Sequence, residues 1–274
     1  MNYEKCYEYK HIKFKSGILD NIIDAVYVIT LKNSYRLKNV YKQINEFKLS
    51  KNNYIQINER YKNCKIDLCK QKSAYHLYKN NFNICNHALK NKFNNILILE
   101  DDFIFDNQIK NKNIIKDLEY FFNNYEFDIY SLGSPFLFII PKTLKHFKYL
   151  YGGLAHAIIF SKNGMEKLVK EYNRNPCMKN KSNDEHHDIL FNYMYNNKYM
   201  YYKPLCYQPL ENTENQSSWD NKIWLKLNRF FFSIIEIDKK PIIGLKRMFI
   251  INYFITILIY LIIFFSIFNL VKMK

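Results

Sequence analysis

Three observations predict an α/β fold followed by a membrane-crossing helix. Strand-like and helix-like stretches alternate over the first 130 residues, the pattern of a mostly parallel sheet with helices on both faces. The aliphatic run Ile96-Leu97-Ile98-Leu99 leads straight into Glu100-Asp101-Asp102. That reads as a strand buried on both faces, with a ligand site or an acidic turn at its carboxyl end. The 24 residues from Met248 to Val271 carry no charge, more than the roughly 20 needed to cross the hydrocarbon core of a bilayer.

In order along the chain, residues 1–24 are polar and mixed, without an apolar core of signal-peptide length. Ala25–Leu31 is the first buried strand, rich in β-branched residues. Asn33-Ser34 caps a helix from about Tyr35 to Phe47, with Leu37, Val40, Tyr41, Ile44 and Phe47 on one face. Tyr54–Ile57 is a short strand, and residues 66–93 read as helix with a break expected near Asn80-Asn81. After the acidic strand come a helix near 113–124 and a strand over Phe127–Leu132. Gly133-Ser134-Pro135 interrupts the alternation, and an apolar stretch follows at 136–140. Gly152-Gly153 turns into a buried strand ending at Ser161, and a helix runs on to about Tyr172. Asn183-Asp184 caps a further helix through His187, Asp188, Leu190 and Met194. Tyr199–Cys206 is the last strand. The division is then an N-terminal segment 1–24, one α/β domain 25–206, a connector 207–247 and a transmembrane helix 248–271. Trp219, Trp224 and Phe230–Phe232 suit the connector to a membrane interface.

Composition narrows the partners. The net charge of +16 suggests nucleic acid, but only five of the 41 basic residues are arginine. Arginine is the side chain suited to bidentate phosphate and base contacts, so no nucleic-acid partner is expected. Scattered lysines suit contact with anionic lipid instead. None of the six cysteines forms a CxxC pair. Neither a disulfide framework nor a zinc site is expected, and a reducing compartment fits. The sequons at Asn180 and Asn215 would matter only in a secretory lumen.

Three adjacent carboxylates repel one another unless a cation offsets them. Mg²⁺ and Mn²⁺ are held by one or two carboxylates together with the phosphates of a substrate. The acidic strand end is therefore a candidate metal site.

With that strand in place, the order of motifs resembles glycosyltransferase family 25, the lipopolysaccharide and procollagen galactosyltransferase group. Val28 to Arg36 is similar to the family's "INLxxSxxR", with Thr30 in place of its Asn. Ile98 to Asp102 is similar to "ILEDD", and Gly152 to Gly164 to "GxxAYxxSxxGA", with His156 in place of its Tyr. Asp188, then Gln208 and Ser217-Ser218, are similar to the family's late Asp and "Q…S" tail. Asn80-Asn81 stand where the family has a Ser-His pair. The resemblance covers residues 25–220 and implies a GT-A domain. Such an enzyme moves a hexose, such as galactose or glucose, from a nucleotide sugar (a UDP-sugar) to a glycan, lipid or protein hydroxyl with inversion. It further implies Asp102 as first metal ligand, assisted by Asp101. Leu31, Arg36, Glu100 and Asp101 fall on the donor side, with Glu100 near the ribose and Arg36 near a phosphate. As an ordinary residue, Arg36 would be a solvated helix position. Asp188, one turn into its helix, is the candidate base, or else a surface Asp paired with His187 or a lysine.

Two other readings use the same acids. One is a metal-dependent nuclease or phosphatase, with Asp184, Glu185 and Asp188 supplying further ligands. The other is a membrane-anchored binding protein without transferase activity. For location, the span ends three residues before the C-terminus, so a tail-anchored protein with a cytosolic catalytic domain is expected.

Overall fold

The computed structural model describes residues 6–59, 69–70, 72–153, 155–177, 187–209 and 230–272. In chain order, β1 (Tyr7–Lys13), β2 (Ala25–Leu31), α1 (Leu37–Phe47), β3 (Asn52–Asn58), α2 (Ser73–Lys90) and β4 (Asn95–Glu100) build the first half. There follow β5 (Ile104–Phe105), α3 (Lys112–Asn124), β6 (Ile129–Ser131), β7 (Phe136–Pro141), β8 (His146–Gly152) and β9 (Ala157–Ser161). The rest comprises α4 (Lys162–Arg174), α5 (His187–Met194), β10 (Lys198–Tyr201), β11 (Cys206–Tyr207) and α6 (Pro241–Lys272).

Among the described residues nine strands form one sheet in the order β1-β3-β2-β4-β9-β6-β10-β8-β7. Alternation along the central strands divides the core. Val26, Val28, Leu97 and Leu99 face α1 and α3 on one side. Ala25, Tyr27, Ile96 and Ile98 face α2, α4 and α5 on the other. A sheet covered on both faces requires the uninterrupted apolar strands that the sequence shows. Gly164 lets α4 start against β6, because a Cβ there would strike the carbonyl of Asp128.

Helix α1 starts at Leu37 with Arg36 as its cap residue and no side-chain cap bond, not with Asn33-Ser34, and the strand expected over Tyr199–Cys206 is two short strands in different sheets; five larger departures follow. The sheet is mixed: β3, β2 and β4 run parallel, but β9 is antiparallel to both neighbours and β7–β8 is a hairpin. Local sequence predicts strands, not the order in which they pair. Second, Tyr7–Lys13 lies in the stretch read only as a polar segment, yet pairs antiparallel with β3 as an edge strand. Its half-exposed face accepts charged residues, so no apolar signal marks it. Third, α2 runs unbroken through Asn80 and Asn81, both buried, and Asn81 Nδ2 donates to the carbonyl of Leu77 at 2.9 Å. Fourth, a disulfide joins Cys69 and Cys177, 108 residues apart with Cα atoms at 5.2 Å, and Cys6 is also disulfide-bonded. Spacing in the sequence cannot report such pairs, because bridging depends on distance in the fold. Cys85 and Cys206 are buried free thiols.

The fifth departure concerns the apolar helix. It begins at Pro241, ahead of the charge-free run, and is long and apolar enough to cross a membrane. Its first half lies on β7. Asn252 accepts from Phe138 N and donates to the carbonyl of Phe136, both at 3.0 Å, and Thr256 Oγ1 donates to the carbonyl of Ile139 at 2.6 Å.

Candidate functional site

Two parallel strands stop together at the acidic motif. Ile29 of β2 pairs with Glu100 of β4, so the turn after β2 meets Asp101 and Asp102. Asn33 takes the left-handed conformation (φ 68°) that this turn needs, one that Asn adopts more readily than most residues. Thr30 Oγ1 and Ser34 Oγ each donate to Asp101 Oδ2 at 2.8 Å. Arg36, at the start of α1, donates from one Nη to Asp101 Oδ1 and to Asp102 Oδ2, both at 3.3 Å. Gln208, just past β11, donates to Asp102 Oδ2 at 2.6 Å. Leu31 closes β2, and its carbonyl accepts from Ser34 N at 3.0 Å.

The second carboxylate oxygen of Asp102 is buried without a hydrogen-bond partner. Burial raises the Asp102 pKa to about 6, against the opposing pull of Arg36 and Gln208. Glu100 is pushed well above the ordinary carboxyl range by burial and then by the charges of Asp102, Asp188 and Asp101. This field is what nearby like charges in a desolvated site produce. A cation can relieve it, and Asp102 Oδ1 is the oxygen with lone pairs to offer.

Asp188 lies in the first turn of α5, partly buried, and its Oδ1 accepts from Ile189 N at 2.9 Å. Gly153 lies beside Asp188: a Cβ there would stand 3.9 Å from Asp188 Oδ2. One turn further on, Asn192 donates to the carbonyl of Gly152 and accepts from its N–H, at 2.7 and 2.8 Å. The glycine pair and α5 thus form one wall, and Asp188 shares the field of the acidic strand. Ser134 and Phe136 line both the hollow beside Asp188 and a cleft against Leu245 and Met248 of α6.

Of the candidate site residues, Leu31, Arg36, Glu100, Asp101, Asp102 and Gln208 meet at the strand end, and Asp188 acts on it through its charge on Glu100. Asp184, Glu185, Ser217, Ser218 and the sequon residues Asn180 and Asn215 lie outside the described residues. Thr30 and Ser34 were missed as partners of Asp101. The one signal for them was their place at the end of β2 and in the turn after it. Among the described residues no three Asp, Glu, His or Cys side chains converge as a self-sufficient metal cage.

No protein-family model matches this chain, and no curated protein matches it. Among solved structures it is similar to a glycosyltransferase involved in the glycosylation of the major capsid of PBCV-1. The two share 10% identity at a TM-score of 0.41, over 70% of this chain and 96% of that one.

Proposed function

We propose that this chain is a metal-assisted glycosyltransferase of GT-A type that takes a nucleotide-sugar donor, a UDP-sugar, and a hydroxyl acceptor. The observation that carries the reading is the unpartnered, buried oxygen of Asp102 at the strand end, beside Arg36. The donor set fits a hard divalent ion, Mn²⁺ or Mg²⁺, held by one carboxylate and completed by diphosphate and water. When bound, such an ion would offset the charge that develops on the departing diphosphate. Asp101 is already engaged by Thr30, Ser34 and Arg36, so its role is to hold Arg36 and the turn, with Asp102 as ligand. In this reading Arg36 meets a donor phosphate, and Glu100, its pKa raised by burial and then by the neighbouring carboxylates, lies towards the ribose.

Asp188 is the base in this reading. Its Oδ2 takes the proton of the acceptor hydroxyl as that oxygen bonds to the anomeric carbon. The bond from that carbon to the diphosphate oxygen breaks with its electron pair leaving on the nucleotide, and configuration inverts. We further read α6 as a single membrane span. The Cys69–Cys177 disulfide belongs to an oxidising compartment, which favours the side away from the cytosol over the cytosolic face expected from cysteine spacing.

A panel of nucleotide sugars, assayed for hydrolysis and transfer with and without Mn²⁺, tests the reading. Metal-dependent turnover of one donor is expected; inertness towards every sugar nucleotide would overturn it.

A further inference from the structure

The docking of α6 on β7 carries an inference about where the folded domain sits. The polar boundary of the helix is marked by Arg247, paired with Glu236. Asn252 and Thr256 stand five and nine residues beyond it, about 8 and 14 Å along the axis. The strand backbone that they bind is therefore level with the charge-free part of the helix. Past Thr256 the charge-free run continues for fifteen residues, Ile257–Val271, before Lys272, about 22 Å of helix against a hydrocarbon core of about 30 Å. The free portion is too short to span by itself. Alongside β7 the outward face of the helix is already bare, with Ile250 51% and Phe254 65% exposed. Phe138 of β7 is exposed too, as are Phe230 and Ile234 in the chain before α6, whose neighbours Phe231, Phe232, Ile235 and Ile237 pack with Leu245 and Met248 of α6.

The hydrogen bonds fit the same setting. An open sheet edge cannot face lipid, because its backbone groups would lack partners. Here the N–H of Phe138 and the carbonyls of Phe136 and Ile139 are taken up by Asn252 and Thr256. Phe138 holds a left-handed conformation (φ 56°) as it donates to Asn252, unusual for a bulky residue.

We propose that the β7 edge, with Phe138, Phe230 and Ile234, is seated in the lipid bilayer together with the turns of α6 from Met248 to Thr256. The domain is then partly immersed rather than tethered above the membrane. This rests on reading α6 as a span and is independent of the chemistry at Asp102.

The test uses the full chain in phosphatidylcholine–phosphatidylglycerol vesicles carrying nitroxide-labelled lipids. Single cysteines bearing an environment-sensitive fluorophore are introduced by Phe138→Cys, Ile234→Cys, Ile262→Cys and, at the opposite sheet edge, Lys10→Cys. The free cysteines among the described residues are buried, which favours selective labelling. Probes at 138 and 234 are expected to be quenched by shallow nitroxides severalfold more than the probe at 10, with the probe at 262 quenched by deep ones. Quenching at 262 with 138 and 234 behaving like 10 would show a span carrying a detached domain and overturn the proposal. Absence of quenching at 262 would overturn the span and the seating together.

Discussion

At the scale of single residues, the proposed metal site rests on one carboxylate oxygen. Asp102→Asn removes the charge from the only site oxygen found buried and unpartnered among the described residues while keeping its shape. Transfer should be abolished and Mn²⁺-dependent donor binding weakened, with the circular dichroism spectrum unchanged; isothermal titration with donor and metal reads both. Asp102 has its pKa raised to about 6, so the folded protein takes up a proton there that the unfolded chain takes up only near 3.9. Metal affinity should therefore fall as the pH drops through about 6. The sign for stability is opposite. Without metal, this group's contribution is present below the unfolded value and lost as pH rises through about 6. Asp188→Asn should cut turnover by about a hundredfold or more with donor affinity little changed. Lost donor affinity with turnover preserved would make Asp188 a binding residue instead. The acids of this site were legible because a strand running into three carboxylates is a local pattern. Thr30 and Ser34 were not, since they reach Asp101 across 71 and 67 residues.

At the scale of elements, the clearest strands were those buried on both faces. Ala25–Leu31 was legible to the residue, because a run of β-branched apolar side chains has no other comfortable home. β1 was invisible because one edge partner and a wet face demand little of its side chains. The hub under β6 shows what joins elements that the sequence leaves separate. Asp128 is fully buried and accepts from Asn163, Lys167 and the backbone N–H groups of Asn196 and Asn197. It therefore ties α4 and the turn before β10 to the sheet. Asp128→Ala should cost about 3 kcal/mol, the range for losing hydrogen bonds to a buried charge, measured by urea denaturation. Asn252→Leu would strand the N–H of Phe138 and the carbonyl of Phe136. In detergent it should speed hydrogen exchange across residues 136–139 relative to β4.

At the scale of the molecule, the sequence supported an α/β domain and an apolar C-terminal helix, and the structure has both. Strand order and the Cys69–Cys177 link lay beyond it, because each is set by distance in space. The disulfide bears on sidedness: in a eukaryotic cell, glycosylation at Asn180 or Asn215 is expected if the domain lies in the secretory lumen. An unmodified protein that is digested by protease added to sealed microsomes would place it in the cytosol. The helix that closes the β7 edge has a practical consequence for anyone who shortens the chain to obtain a water-soluble domain. A fragment ending at Lys240 keeps every site residue but uncaps a strand and bares Ile139, Phe147 and the rest of the face that Met248 and Phe249 cover. Such a fragment is primed to pair edge to edge with its own copies. Poor behaviour in solution would then report a missing helix rather than a misread active site.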